Sequence, residues 1–290
     1  MQILLIAFVL ILGGASEKPP HRAMPPFYRI VSHDGRDTSY LFGTLHLLES
    51  SYVDTMPRVM AALGRADEVV GELVLDSIAT GDIMQSFLSG PPLDSLLTES
   101  EYKQVKAAVK KFAPVPMMLL NNVEPIVLYT LLLEGMYAKA YPENQKTHVE
   151  MDMFFENEAK NAGKSVIGLE SADDQLGVLD SVPLPEQIDE LMDLVSHPKK
   201  AGQQMDKMLA NYGAGKISEI LDDPSFGSFS PEEMRSLIYD RNKKWLDTLP
   251  KLMNGHKLFI AVGAGHLPGK QGLAEGMKKL GFYVTPQSPY

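Results

Sequence analysis

Apolar positions in this chain fall into short runs of β character and longer stretches with a three-to-four-residue period. Phe27 to Val31 and Thr38 to Phe42 are apolar runs separated by Ser-His-Asp-Gly-Arg-Asp. The Asp34-Gly35 pair inside that separator is a turn signal, so the two runs predict a β-hairpin. Residues 54–65 carry Val59, Met60 and Leu63 at helical spacing, with Pro57 tolerable only in a first turn. Val69-Val70-Gly71-Glu72-Leu73-Val74-Leu75 predicts a third strand with Glu72 inside it.

From about 77 to 160 the period is helical. Thr98 with Glu101 three residues on forms a capping box ahead of Val105, Ala108 and Val109, and Pro114 and Pro116 end that helix. Val123 to Tyr137 is apolar on nearly all sides, which predicts a buried helix or a groove wall. Val149 to Ala162 reads as a further helix and Lys164 to Glu170 as a strand, with Ser171 and Asp174 opening the next helix. Pro183 and Pro185 introduce a helix around Ile188, Leu191 and Leu194, and Met205 to Leu221 is helical across a Tyr-Gly-Ala-Gly break. Ser230-Pro231-Glu232-Glu233 combines an N-cap, a proline at N1 and a capping acid, predicting one helix to about Leu252. Lys257 to Val262 is the last core strand, Gly272 to Leu280 a helix, and Tyr283 to Thr285 a short terminal strand.

Core strands therefore lie near both ends of the chain, with a helical block between Glu72 and Glu170. This distribution predicts an α/β (α+β) fold: a central mixed sheet, flanking helices and a helical insertion at about 77–160 that serves as a lid or groove. Residues 27–290 read as a single domain.

Composition narrows the class. The 290 residues are 44% hydrophobic, ample for a core, and the formal charge of −10 with no Lys/Arg cluster excludes a general nucleic-acid binder. Lys110-Lys111, Lys199-Lys200, Lys243-Lys244 and Lys278-Lys279 are only pairs on solvated faces. Cysteine is absent, which removes disulfides, thiol catalysis and Cys-ligated zinc. Residues 2–15 are uncharged and end in small residues, with Gly13 and Ala15 at signal-peptidase spacing, so residues 1–15 read as an export signal and 16–26 as a flexible tether. The expected location is periplasmic or extracellular, with no membrane span in the mature chain; an uncleaved N-terminal anchor is the alternative.

Four strands end in ionisable residues. Gly43-Thr44-Leu45-His46 and Gly263-Ala264-Gly265-His266 repeat a G-x-x-H pattern after apolar runs, while Glu72 and Glu170 sit in or after two others. Side by side, such strands bring two imidazoles and two carboxylates to one sheet edge. His46, His266 and Glu72 suit a divalent zinc, manganese, cobalt or iron ion, and a carboxylate there could act as general base. Arg241, beside Asn242, could orient a carboxylate or stabilise an oxyanion. His21, His33, His148, His197 and His256 read as surface residues. No G-x-S-x-G, P-loop or H-E-x-x-H is present, and Gly263-Ala264-Gly265 lacks the third glycine of a dinucleotide fingerprint.

The strings YLFGTLHLL, VVGELVLD, GKSVIGLESADDQL, Arg241-Asn242 before Trp245, and FIAVGAGHLPGKQGL resemble the TraB/GumN family, related to the TIKI proteases, from about Tyr28 to Val284. The resemblance implies metal-dependent peptide hydrolysis. It maps the family's motif histidines onto His46 and His266, its strand glutamate onto Glu72, and its L-E-[ST]-x-x-x-Q-L segment onto Glu170, Ser171 and Gln175. Glu72, Glu170 and Arg241 are then the expected catalytic residues, with Gly43, Gly263, Asn242 and Gln175 supporting them and a peptide or protein as substrate. Glu124-Pro125 stands where many relatives have a Lys-Pro or similar pair. The wider superfamily includes haem-binding and esterase-like members, so the rival expectation is a non-catalytic envelope protein that binds a peptide or haem.

Overall fold

The structure, a computed structural model, describes residues 26–290 except 47, 49, 75–89, 114, 143–148, 181 and 218–230. The expected export signal, all of the tether but Pro26, His21, His148 and the N-cap Ser230 lie outside the described residues.

The apolar runs form β1 (Phe27–Val31), β2 (Thr38–Thr44), β3 (Glu68–Gly71), β4 (Ser165–Gly168), β5 (Leu258–Gly263) and β6 (Tyr283–Pro286). They make one mixed sheet in the order β4-β3-β5-β2-β1-β6. The first four in that order, β4, β3, β5 and β2, run parallel to one another, while β1 pairs antiparallel with β2 and β6. Leu258 to Val262 are buried at every position, as a parallel strand covered on both faces requires. Alternation along β5 sends Phe259 and Ala261 into one core cluster and Leu258, Ile260 and Val262 into another.

The first face is covered by α1 (Pro57–Arg65) and by helices between β3 and β4: the short α2 (Leu93–Leu96), α3 (Glu99–Phe112), α4 (Pro125–Ala140) and α5 (Met151–Asn161). The helical insertion therefore exists and contributes Leu128, Leu132, Leu133 and Phe155 to the sheet's own core. Thr98 and Glu101 form the expected capping box. Beyond β4 come α6 (Ala172–Asp180), α7 (Leu184–Ser196) and α8 (Pro198–Gly213), then α9 (Pro231–Met234), α10 (Asp240–Leu252) and α11 (Leu273–Lys279). Ser171 and Asp174 cap each other at the start of α6, with Ser171 N donating to Asp174 at 3.1 Å and Asp174 N to Ser171 Oγ at 3.1 Å. Trp245, Leu249, Leu273 and Met277 cover the second face.

Two expectations need correction. The third strand ends at Gly71, so Glu72 lies just past the strand rather than within it. Pairing nevertheless continues beyond it, since Leu169 N donates to Gly71 O and Glu170 N to Glu72 O, which keeps the two glutamates in step. The helix expected to run unbroken to Leu252 is interrupted by a π-helical turn at Arg235–Tyr239, where Asp240 N bonds back to Arg235 O. The wider turn inserts a residue and rotates α10 relative to α9, and such bulges recur at functional sites.

Among the described residues, no helix is long and apolar enough to cross a membrane.

Candidate functional site

The parallel strand order places Glu170, Glu72, His266 and His46 in sequence across the carboxyl edge, after β4, β3, β5 and β2 respectively. Each G-x-x-H glycine has its own steric reason. A Cβ at Gly43 would stand 2.7 Å from Pro26 Cγ and 3.0 Å from the Ala264 backbone, so β2 can approach the turn after β5 only without a side chain. A Cβ at Gly263 would lie 3.1 Å from Glu72 Oε1, 3.7 Å from His266 Cδ2 and 3.9 Å from His46 Nε2. Gly263 therefore keeps open the space on which three of the expected site residues converge.

Arg241 organises the buried side of this space. Its Nε donates to Glu170 Oε1 at 2.9 Å, and its Nη2 to Glu170 Oε2 at 2.8 Å and to Glu72 Oε2 at 2.6 Å. Its Nη1 donates to Leu237 O at 3.1 Å and approaches His266 Nε2 at 3.2 Å. All five guanidinium hydrogens are engaged, so Arg241 orients carboxylates and has no donor left for an oxyanion. Leu237 belongs to the π-helical turn, which explains the bulge's position next to the site.

Glu170 is equally committed. Its side chain is 2% exposed, and beyond Arg241 it accepts Trp245 Nε1 at 3.1 Å. It sits behind Glu72 as a second counter-charge to Arg241 and is not among the residues that line the cleft. Trp245 also stacks on His266 with ring centroids 4.4 Å apart.

Asn242 Nδ2 donates to His266 O at 3.0 Å and to Gln271 O at 2.9 Å, leaving Oδ1 to accept from His266 Nδ1 at 2.7 Å. These bonds fix the tautomer: His266 carries its hydrogen on Nδ1 and turns the Nε2 lone pair toward Arg241 and Glu72. Burial pushes the imidazole down, and Arg241 adds to this against the opposing pull of Glu72, leaving it at about 3 and neutral. Glu72 shows the opposite balance. Burial would raise its carboxyl, but the charge of Arg241 with smaller contributions from the imidazoles and the Gly263 N–H holds it at about 2. Gly263 N donates to Glu72 Oε1 at 2.7 Å.

His46 faces the same space from the other side. Its Nδ1 stands 2.7 Å from Asp152 Oδ2, on the first turn of α5, and Asp152 Oδ1 accepts Thr44 Oγ1 at 2.6 Å. Burial would lower this imidazole, but Asp152 above all, with Glu72 and Glu150, raises it to about 9. Close by, burial and the charge of Glu150 push Glu134 up to about 7, and burial with the charge of Asp152 does the same to Glu150. His46, Glu72, Asp152, Glu156 and Gln175 line a narrow cleft with Val69, Leu73, Phe155 and Ala261. Gln175 is thus at the cleft, while Asn242 acts from behind His266.

Every site residue expected from the sequence lies at this edge. Asp152, Thr44 and Trp245 belong there as well, and sequence reasoning missed all three. Thr44 left a signal, since a polar residue in a buried strand requires a partner. An acid in a first helical turn, however, is ordinary on macrodipole grounds and hides the pairing.

A divalent cation fits this donor set in part. His46 Nε2 and Glu72 Oε1 both face the cradle above Gly263. Both histidines have their other nitrogen oriented by Asp152 or Asn242, as metal-ligating imidazoles do. The His266 lone pair, by contrast, is committed to Arg241, and no three His, Asp or Glu side chains among the described residues stand ready as a cage.

The model of the TraB/PrgY/gumN family matches residues 27–286. The chain belongs to the TraB/PrgY/gumN family. Both G-x-x-H segments and all four edge residues fall within the matched span of this TraB-family chain. No curated protein and no solved structure gives a significant match to it.

Proposed function

We propose that the cleft above Gly263 is the active site of a metal-dependent hydrolase that cuts peptides. The observation that carries this reading is the convergence of His46 Nε2 and Glu72 Oε1 on one space, each backed by a partly buried partner of opposite charge. His46 and Glu72 would hold the cation, and His266 would join them only by giving up its contact with Arg241. A divalent cation there supplies Lewis-acid polarisation of a carbonyl and acidifies water.

The chain's own residues divide the remaining work. Glu72, held far below neutrality, is suited to a ligand rather than a general base, whose pKa should lie near the operating pH. Arg241 and Glu170 fix the Glu72 carboxylate, and Asn242 with Trp245 fixes the His266 ring. Val69, Leu73, Phe155 and Ala261 give the floor of the cleft an apolar lining. Residues 2–15 are read as an export signal, so the enzyme would act in the periplasm or outside the cell.

Incubating the purified chain with a mixed peptide library and identifying products by mass spectrometry tests this. Cleavage should stop on chelation, return with manganese, cobalt or zinc, and be absent in His46→Ala and Glu72→Gln. Cleavage that survives both chelation and these substitutions would overturn it.

A further inference from the structure

His46 lies in the loop after β2, and its described neighbours there, Leu45 and Leu48, have no side-chain polar group that could set which nitrogen faces the cleft. The explanation lies 106 residues away in chain order (152 − 46), in the helical insertion. The start of α5 is bound to the His46 loop by two main-chain bonds, Ser50 N to Val149 O at 3.0 Å and Met151 N to Leu48 O at 3.1 Å. The buried Tyr212 braces the same junction, donating its hydroxyl to Gly43 O at 2.7 Å and lying 3.5 Å from Met151 Sδ. Asp152 comes immediately after Met151. Its Oδ2 and the Nδ1 of His46 are both buried, stand 2.7 Å apart as an ion pair, and make no hydrogen bond to any other described group. Its Oδ1 is fixed by Thr44 Oγ1 at 2.6 Å, two residues before His46 in the same G-x-x-H segment.

We propose that Asp152 is the positioning residue for His46, with Thr44 as its anchor, so that the helical insertion sets which nitrogen of the motif histidine faces the cleft. Each end of the arrangement is held independently: the loop and helix by main chain, the carboxylate by the threonine hydroxyl. A carboxylate behind a ligating imidazole fixes the ring and increases its basicity, and losing it weakens metal binding roughly 10–100-fold. The insertion is therefore part of the site as well as a wall of the cleft. The affinity arm of the test rests on the metal-dependent reading; the orientation itself does not.

The test uses the full chain with Asp152→Asn, Thr44→Val and Thr44→Ser. Cobalt(II) titration followed by its visible absorption should show affinity reduced roughly 10–100-fold in D152N. T44V should lose less, and T44S, which keeps the hydroxyl, should stay near wild type. In the cation-free protein, proton NMR should show a slowly exchanging downfield Nδ1–H, assigned by its loss in His46→Gln and absent in Asp152→Ala, which keeps no acceptor, despite a retained fold. If wild type binds no cobalt, the metal reading fails and the NMR signal alone decides the role of Asp152. Persistence of that signal in a folded D152A, or unchanged cobalt affinity in a folded D152N, would overturn the proposal.

Discussion

Arg241 Nη2 donates to Glu72 Oε2 at 2.6 Å, joining α10 to the end of β3 across 169 positions of sequence. Both side chains are 12% exposed, and the same guanidinium also neutralises the still more buried Glu170. Removing it strands two carboxylates in a low-dielectric site. Arg241→Met should therefore cost about 3–5 kcal/mol by urea unfolding, the usual result of breaking a buried pair from one side. Arg241→Lys should recover only part, because an ammonium cannot serve Glu72, Glu170, Leu237 O and His266 with one planar fork. Adding Glu72→Gln to Arg241→Met should cost less than the sum of the two single changes. A loss below about 1 kcal/mol in R241M would contradict this picture.

Gly263 sits at φ −50, ψ 133, a backbone conformation open to any residue. Gly263→Ala consequently introduces no backbone strain and tests the cradle alone. The new methyl, 3.1 Å from Glu72 Oε1, should cost about 1–3 kcal/mol through crowding while sharply reducing cation binding and hydrolysis. Full activity in G263A would show that the space above this glycine is not where substrate or cation sits.

The two motif histidines should tilt stability in opposite pH windows when no cation is present. His46 rises from 6.5 to about 9 on folding, so its contribution is fully present below 6.5 and disappears as pH climbs through 9. The shift corresponds to ~3 kcal/mol. His266 falls from 6.5 to about 3, so the unfolded chain binds more protons between those values and stability declines as pH drops through that range. Unfolding free energies of wild type, His46→Gln and His266→Gln across pH 4–10, with chelator present, should show the alkaline loss missing from H46Q and the acid loss reduced in H266Q. Parallel profiles for all three proteins would contradict the assigned environments.

Much of the sheet edge was legible in the sequence because strand ends have local signatures. An apolar run followed by glycine and a histidine reads as a parallel strand delivering a side chain, and β2 and β5 do this. The apolar runs alone could not give the strand order, which depends on long-range pairing. It is that order that puts Glu72 between Glu170 and His266. Arg241 was recognisable as a residue of interest, but its saturation was not, because the five acceptors come from the ends of β3 and β4, the π-helical turn and the turn after β5. The π-helical turn itself was invisible, since Ser230 to Leu252 carries a good N-terminal signal and Met234, Leu237 and Ile238 keep ordinary helical spacing through the turn. Asp152 was hidden for a different reason: its pairing with His46 depends on the insertion folding back, while its local context explains it fully as a helix-start acid.

The most direct measurement is calorimetric titration of manganese, cobalt or zinc into the chelator-stripped chain at pH 7, in two buffers of different ionisation enthalpy. His46 carries a proton at that pH and must release it to bind a cation through Nε2, so one ion per chain should bind with release of about one proton. Both the binding and the proton should vanish in His46→Gln and Glu72→Gln. A wild-type chain that binds no divalent ion, or one whose binding and proton release are unchanged in these two variants, would contradict the assignment of the G-x-x-H cleft as a metal-dependent site.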